Sequence, residues 1–515
     1  MSTSEKMDTA CQQAMNGLLL DAQALFQELA EQEESSSHSL VFNNLAAVKA
    51  ALGETSAARQ LFEQALTFTT EYKPAVQNLK FLNQQFPAET ENQKHRGVAR
   101  RIAIVSLLFS WPSTGGGTVH TKELAQFLVQ AGYEVHQFYA VYQDWGVGLV
   151  RDDLPYQATP LVFDHETWNE TQIRNRFKTA VDQFSPDAVI VTDSWNTKPL
   201  LAEAVQDYRY YIRLAALECI CPLNNVRLLT GEHHNVLQCP QNQLADADAC
   251  YQCVMPNLRK SGQLHQLERQ LAGFDHADYG ARLKGSFAKA EGVLVVNPQI
   301  AELVRPYARS VHVLPSGFDV NRFPDSLAEP AISRPLKRIL FAGLTNEFIK
   351  GFSILLQAGE ELWKQRQDFE IWATADPVGQ MNEFTRFVGW QSQESLPALI
   401  AECDILVFPT LAQEALGRTA VEAMGCGRPV IASRLGGLPF VVEEGVTGLL
   451  CNPADPADLA EKCQQLLDAP ELCQQMGKAG RKTFLNEYTW EVILQKYFEL
   501  FGPPVEAPQK LTSKN

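Results

Sequence analysis

Long apolar runs are missing from this 515-residue sequence. The longest, such as IAIVSLLF at Ile102–Phe109, fall far short of the roughly 20 residues that a membrane-spanning helix needs. The opening MSTSEKMDTACQQAMNG has no basic region followed by an apolar one, so no secretory signal is expected there. Positive charge is also scarce: 44 Lys and Arg stand against 60 Asp and Glu, a formal net charge of −16. A polyanion requires a basic footprint, so no nucleic-acid partner is expected. A local basic patch for an acidic lipid surface stays open. Disulfide-framework spacing is absent too, because the 11 cysteines are mostly scattered, which suits a reducing cytosol. The expected location is cytoplasmic, with peripheral attachment to a membrane left open.

What is present is length for about three domains at roughly 100–200 residues each. Residues 1–95 read as helices only, with Gly53 as a stop and an early helix near Asp21–Gln32. Asn44-Leu45 recurs as Asn78-Leu79, a period of 34, with Ala58, Phe62, Ala65 and Pro74 at the spacings of a tetratricopeptide repeat. A plain helical hairpin is the alternative. A single repeat cannot bury its own apolar face, so docking on the main body or on a protein partner is expected.

From residue 96 the pattern changes to short apolar strands alternating with helical segments. Residues 96–320 hold strands near 102–109, 187–193, 210–217, 292–297 and 311–317, and 321–487 restarts the alternation at RILFAGL (338–344). This order predicts two doubly wound, Rossmann-like parallel sheets facing a cleft, with ligands beyond the carboxyl ends of the strands. Residues 488–515 complete the chain as a closing helix and tail.

The most informative stretch is EALGRTAVEAMGCGRPVIAS, Glu414 to Ser433. The strand DILVFPT ends near Thr410, and a helix is expected from about Arg418 to Met424. Glu414 then lies in a loop at the strand end, and Glu422 in the first turns of the helix. The amides of Leu416, Gly417, Arg418 and Thr419 become unpaired helix-start donors, a natural place for a phosphate. Carboxylates beside a phosphate site make sense if they accept hydrogen bonds from sugar hydroxyls. Residues 115–117 read GGG after a buried strand; they lack the G-x-G-x-x-G spacing, so hydride chemistry is not indicated.

Across about 100–500 the chain resembles retaining glycosyltransferases of the GT-B fold, family 4. The resemblance rests on Glu-x7-Glu with its Ala-Met and Gly-x-Pro-Val neighbours, on VLPSGFDVNRF (313–323, with Ser316 where the family has Asn), on RFVGWQSQESLPALIAECDILVFPT, on LGGLPFVVEEGVTGLLCNPADPADLA, and on the closing YTWEVILQKYFELF. It implies that Glu414 binds the donor sugar and acts in catalysis with Lys350. Glu422 would hold the ribose; Leu416, Gly417, Arg418 and Thr419 the diphosphate; Gly343 the loop before Lys350; and the backbone at Phe387, Val388 and Gly389 the base. Gly116 and Gly117, with His120 and Asp193 nearby, would form the acceptor and phosphate loop. Two departures stand out. The family's loop arginine falls on Leu344 or Thr345 in GLTNEFIKG, with Arg418 a possible substitute. The family's His-x-His falls on Ile190 and Thr192.

Five cysteines crowd the insertion at 217–257. Cys221, Cys239, Cys250 and Cys253 are candidate ligands for a structural zinc, against unliganded thiols or a redox role. His233 and His234 are further candidates.

The resemblance implies sugar transfer from a UDP-, GDP- or ADP-sugar to a carbohydrate, lipid-linked or other small acceptor, with retention and with no cofactor needed for catalysis. A non-catalytic interaction protein built on the helical repeat and a degenerate GT-B body is the alternative, prompted by the missing arginine and histidine. A hydrolase using Glu414 and Glu422 as an acid/base pair is a further rival.

Overall fold

The computed structural model describes residues 3–15, 18–30, 38–52, 55–69, 72–85, 99–113, 115–224, 226–230, 236–258, 261–324, 336–375 and 382–504. The chain divides into two compact units, Met1–Gly97 and Val98–Asn515.

The first unit is helical: α1 (Thr3–Met15), α2 (Leu19–Ala30), α3 (His38–Ala51), α4 (Thr55–Phe68) and α5 (Lys73–Gln85). Helix α3 has two apolar faces. Val41, Leu45 and Val48 pack with Ala22, Phe26 and Leu29 of α2. Phe42 and Ala46 pack with Ala58, Phe62 and Ala65 of α4 and with Ala75 and Leu82 of α5. Pro74 stands at the start of α5, where its missing amide hydrogen costs nothing. A buried amide ties the helices together, Asn78 Nδ2 donating to Asn43 Oδ1 at 3.1 Å.

The second unit holds two parallel sheets. The first is built from β1 (Arg101–Ser106), α6 (Gly116–Gln130), β2 (Glu134–Val141), β3 (Gln157–Val162), α7 (Glu170–Phe184), β4 (Ala188–Thr192), α8 (Lys198–Ala204) and β5 (Tyr210–Leu214). An insertion follows, with an antiparallel hairpin of β6 (Leu228–Thr230) and β7 (Val236–Gln238), then α9 (Ala247–Asn257), α10 (Gln263–Leu271) and α11 (Tyr279–Lys289). β8 (Gly292–Val295), α12 (Pro298–Val304) and β9 (Val311–Val313) finish this sheet, whose strand order is β3-β2-β1-β4-β5-β8-β9.

The second sheet holds β10 (Lys337–Phe341), α13 (Phe352–Trp363), β11 (Phe369–Ala373), β12 (Thr385–Phe387), α14 (Leu396–Ala401), β13 (Ile405–Phe408), α15 (Arg418–Gly425), β14 (Val430–Ser433) and β15 (Gly448–Cys451), in the order β12-β11-β10-β13-β14-β15. Three helices close the chain: α16 (Pro456–Asp468), α17 (Pro470–Glu487) and α18 (Trp490–Phe501).

Each sheet is apolar on both faces, as helices on both sides demand. Side chains alternate along β5: Tyr210, Ile212 and Leu214 enter one core, whereas Tyr211 enters the other. That second core also takes Ile493, Leu494, Tyr497 and Phe501 of α18, so the last helix packs on the first sheet beside α6. Ala99 N donates to Phe501 O at 2.8 Å, closing the circuit.

Three local expectations change. The strands expected to run to 217 and 317 stop at Leu214 and Val313, because both segments leave the sheet at its carboxyl edge to wall the cleft. β3, an edge strand with little full burial, carries no apolar signature that would mark it. The hairpin of the insertion is likewise too short to announce itself in the pattern.

Candidate active site

A cavity of about 440 Å³ opens between the carboxyl ends of the two sheets, with walls from both. On the second-sheet side the polypeptide leaves β13, passes Glu414 and enters α15. The turn depends on Gly417, at φ +77°, whose extra Cβ would stand 2.6 Å from Leu438 Cδ2. No side chain caps α15, so its helix-start amides lack a side-chain partner, and Leu416, Gly417, Arg418 and Thr419 line the cavity.

Glu414 is met there by Lys350, Nζ to Oε1 at 2.8 Å. Lys350 ends the short turn Phe348–Lys350, and Gly351 follows at φ +76°. A Cβ on Gly351 would fall 1.8 Å from the Pro409 carbonyl oxygen, so glycine is required for the lysine to reach the glutamate. Burial works to lower the Lys350 pKa, but the Glu414 carboxylate outweighs it and holds the ammonium above its ordinary range.

Glu422, 2 % exposed, sits deeper. Burial raises its pKa against the opposing pull of Arg418 and Arg322. Arg322 Nη2 lies 3.3 Å from Glu422 Oε1, and its Nη1 3.5 Å from Glu123 Oε1 on α6. Arg418 Nη2 reaches the other oxygen of Glu123 at 3.1 Å, and its guanidinium lies 4.3 Å above the centre of the Phe318 ring. The two arginines therefore clamp a carboxylate from the first sheet's domain. The Arg418 side chain is turned to Glu123 and Phe318, while Leu344 occupies the cavity wall where the family resemblance implies an arginine.

The Gly343 amide donates to Thr374 Oγ1 at 3.1 Å. Beyond β12, the Val388 amide is spent on Ala373 O at 2.9 Å. The carbonyls of Val388 and Gly389 accept from Gln391 Nε2 at 3.2 and 3.3 Å. Trp390 and Gln391, rather than Val388 and Gly389, line the cavity here.

Across the cleft Gly116 and Gly117 begin α6 and line the cavity. Both are closely covered: a Cβ on Gly116 would stand 3.1 Å from Arg418 Cδ, and one on Gly117 3.0 Å from Ala215 Cβ. Thr419 and Leu416 line the opposite wall.

His120 and Asp193 lie behind this surface. His120 is fully buried against Trp490, with ring centroids 5.3 Å apart, and burial followed by the Arg213 and Arg418 charges holds its pKa well below normal. Asp193, at φ +41°, accepts from Ser106 Oγ at 3.2 Å and Thr118 Oγ1 at 3.3 Å; burial raises its pKa. It knots the end of β4 to β1 and α6.

The insertion gathers its cysteines. Cys250 and Cys253 are one turn apart on α9. The Cys250 thiol is pushed up to about 12 by burial and then by Cys221, Cys239 and Cys253. The amides of Leu223 and Asn224 donate to the Cys221 sulfur. Among the described residues, however, no three His, Cys, Asp or Glu side chains are grouped as a metal ion would need. The four thiols are neighbours, but as placed they do not form a ligand shell. His233 and His234 lie outside the described residues.

Residues that the motifs did not single out complete the site. Glu123 and Arg322 form the cross-cleft clamp, and Arg213 of β5 lines the cavity. Asn297 Nδ2 donates to the Ala415 carbonyl at 2.5 Å, holding the Glu414 loop from the first sheet's side. Arg322 lies inside VLPSGFDVNRF and was within reach of motif reading; the others are scattered, and only folding assembles them.

Residues 336–469 match the family model described as glycosyl transferases group 1. The matched residues run from β10 through α16, the second sheet and its helices. The MMP alpha-(1->4)-mannosyltransferase of Mycolicibacterium hassiacum is 30 % identical over 194 residues, 36 % of this chain and 46 % of that protein. A D-inositol 3-phosphate glycosyltransferase of Corynebacterium diphtheriae is 32 % identical over 240 residues, 41 % of this chain and 56 % of its own. The chain spans about half the length of the curated relatives it matches. Among solved structures, sucrose-phosphate synthase from Thermosynechococcus elongatus superposes with a TM-score of 0.57 at 19 % identity, covering 78 % of this chain and 98 % of that one. Anabaena HepE in complex with UDP-glucose gives 0.52 at 16 %, covering 78 % and 98 %. The fold is GT-B: two parallel sheets of seven and six strands facing one cleft, with a separate helical unit before them.

Proposed function

We propose that this protein is a glycosyltransferase that moves a sugar from a nucleotide-diphosphate donor to an acceptor with retention of anomeric configuration. The observation that carries the reading is the pairing of Lys350 with Glu414 beside the uncapped start of α15. A diphosphate arriving there meets helix-start amides and one ammonium. Its negative charge draws Lys350 away from Glu414, and the released carboxylate accepts hydrogen bonds from the sugar hydroxyls. Glu422 takes the ribose hydroxyls once Arg322 turns aside. Backbone and side chains near Val388 to Gln391 receive the base.

In the transfer, the bond from the anomeric carbon to the phosphate oxygen breaks and its electron pair leaves with the diphosphate. The acceptor oxygen forms its bond on the same face, and its proton passes to the departing phosphate oxygen. Lys350 and the amides offset the charge that grows on that oxygen, so no metal is needed, and activity should survive EDTA. Separately, zinc analysis of the purified chain decides whether Cys221, Cys239, Cys250 and Cys253 close on an ion.

UDP-sugars are the donors to test first, because HepE was captured with UDP and UDP-glucose. A thermal-shift panel of UDP-, GDP- and ADP-sugars should show a rise in melting temperature with one base. No rise with any of the three would overturn the reading. Proton NMR of the first product formed should show the donor's anomeric configuration; an inverted product would remove retention.

A further inference from the structure

The two walls of the cavity differ in what they offer a hydroxyl group. The second-sheet wall carries the carboxylates of Glu414 and Glu422 and the carboxamides of Gln391, Gln393 and Gln413. With the nucleotide sugar placed there, an acceptor has to come against the first-sheet wall. That wall is mostly hydrocarbon: Val119 of α6, Ala215 and Ala216 just beyond β5, Val226 just before the insertion's hairpin, and Val296 just beyond β8.

The polar groups on this side are already committed. Among the described residues, the wall turns no carboxylate or carboxamide side chain to the cavity; its polar side chains are Arg213 and Ser316, 2 % and 4 % exposed. Arg213 is held by Tyr497 of α18, with Asp193 and Glu218 beside it. Glu218 in turn takes the Ala215 amide at 3.1 Å and the Ala216 amide at 2.6 Å, so neither donor is left for a ligand. Gly116 and Gly117 add backbone and no side chain. A sugar ring laid on such a wall leaves hydroxyls without partners, each a loss of roughly tenfold in affinity. A hydrocarbon frame gains instead, about three- to fourfold for each methylene taken out of water.

We propose that the acceptor is an alcohol on a hydrocarbon frame, alkyl or alicyclic, rather than a free sugar. The inference rests on the donor reading above and names the class of molecule that completes it.

Ligand-observed NMR on the full chain, with and without saturating UDP, tests this. Cyclohexylmethanol and glucose share a six-membered ring and a hydroxymethyl group but differ in ring hydroxyls. The straight alcohols from butanol to octanol add one methylene at a time. Cyclohexylmethanol should bind about tenfold or more tighter than glucose, and affinity should climb about three- to fourfold per methylene along the series. Val226→Asp and Ala216→Asn each put a polar group on the wall from a half-buried position. Each should cut alcohol binding about tenfold while calorimetry finds UDP affinity unchanged; if one variant does not fold, the other carries the comparison. A wild-type chain that ignores UDP but keeps the alcohol preference sinks the donor reading and upholds the apolar wall. Glucose bound as tightly as cyclohexylmethanol, a flat alcohol series, or alcohol affinity unmoved in the folded variants overturns this inference, whether or not UDP binds.

Discussion

The two walls of the cleft hold charge in opposite ways. On the second sheet's side Lys350 and Glu414 remain partly open, with side chains 30 % and 18 % accessible, and neutralise each other at 2.8 Å. On the first sheet's side Arg213 and His120 are buried; Arg213 has Tyr497 as a hydrogen-bond partner with Asp193 and Glu218 nearby, whereas neither ring nitrogen of His120 has a partner among the described residues. A partly open ion pair can exchange partners at lower cost than a buried one, because water reaches and screens the broken state. Buried groups have no such freedom: Arg213 is fixed among Tyr497, Asp193 and Glu218, and burial favours the neutral form of His120. The second wall thus carries an ion pair that water can reach, and the first encloses a buried cation and a ring that burial keeps neutral.

The contrast is broken most severely at Gly351. Gly351→Ala forces a Cβ against the Pro409 carbonyl in left-handed backbone, and a loss of about 3–5 kcal/mol is expected in denaturant melts. Melting like wild type would show that Lys350 does not depend on this turn.

Removing the partly open cation comes next. Lys350→Ala should lower turnover about 10²- to 10³-fold, as loss of a group that offsets growing leaving-group charge does. Stability should respond to pH through the same group. Its folded pKa lies above the ordinary 10.5, so the ion pair contributes fully below that pH and fades as pH rises through the folded value. Melting temperatures of wild type and Lys350→Met should therefore converge in strong alkali.

Glu422→Gln sharpens the burial side of the comparison. Because burial raises the Glu422 pKa, the folded chain binds this proton more tightly than the unfolded one. The carboxylate's penalty is present at neutral pH and disappears as pH falls below the ordinary 4.5. The amide should raise the melting temperature by about 2–4 °C at pH 7 and lose that advantage toward pH 4. Donor KM should rise roughly tenfold, the loss of one charge-assisted hydrogen bond. A lower melting temperature at pH 7 would show that the arginine pairing outweighs burial.

The smallest effect is expected at the cross-cleft clamp. Glu123→Gln removes the carboxylate shared by Arg322 and Arg418. Freed arginines should improve UDP affinity only a few-fold, since in so buried a pair the attraction is largely offset by the cost of keeping both charges from water. Calorimetry showing weaker UDP binding would mean that Glu123 positions the arginines rather than withholding them.

Legibility followed sequence distance. Glu414, Glu422 and the helix between them lie within one short stretch, so a strand, a glycine turn and a helix start can be read in order and placed at a sheet edge. The structure puts α15 at Arg418–Gly425, one residue beyond the expected end. Lys350 and Gly351 were visible through resemblance, although the reason for the glycine, a carbonyl from β13's far end, was not. Arg213 reads as one residue in a strand, and nothing local says that its face of β5 opens on a cavity. Glu123 and Arg322 are each ordinary charges on ordinary surfaces until α6 and the segment before the second sheet meet. Arg418 reads locally as a phosphate cation, but only the tertiary contact turns it toward Glu123.

The amino-acid order alone determined the alternation of strands and helices, the two sheets, the helical unit ahead of them, and the loop that brings a carboxylate to a helix start. Those features arise from periodicity and turn chemistry, which act over a few residues. Tertiary structure decided which charges are paired, which are buried and which face the cavity. Burial and electrostatic pairing depend on atoms far apart in the chain, and the strength of each charge follows from how much water the fold leaves around it.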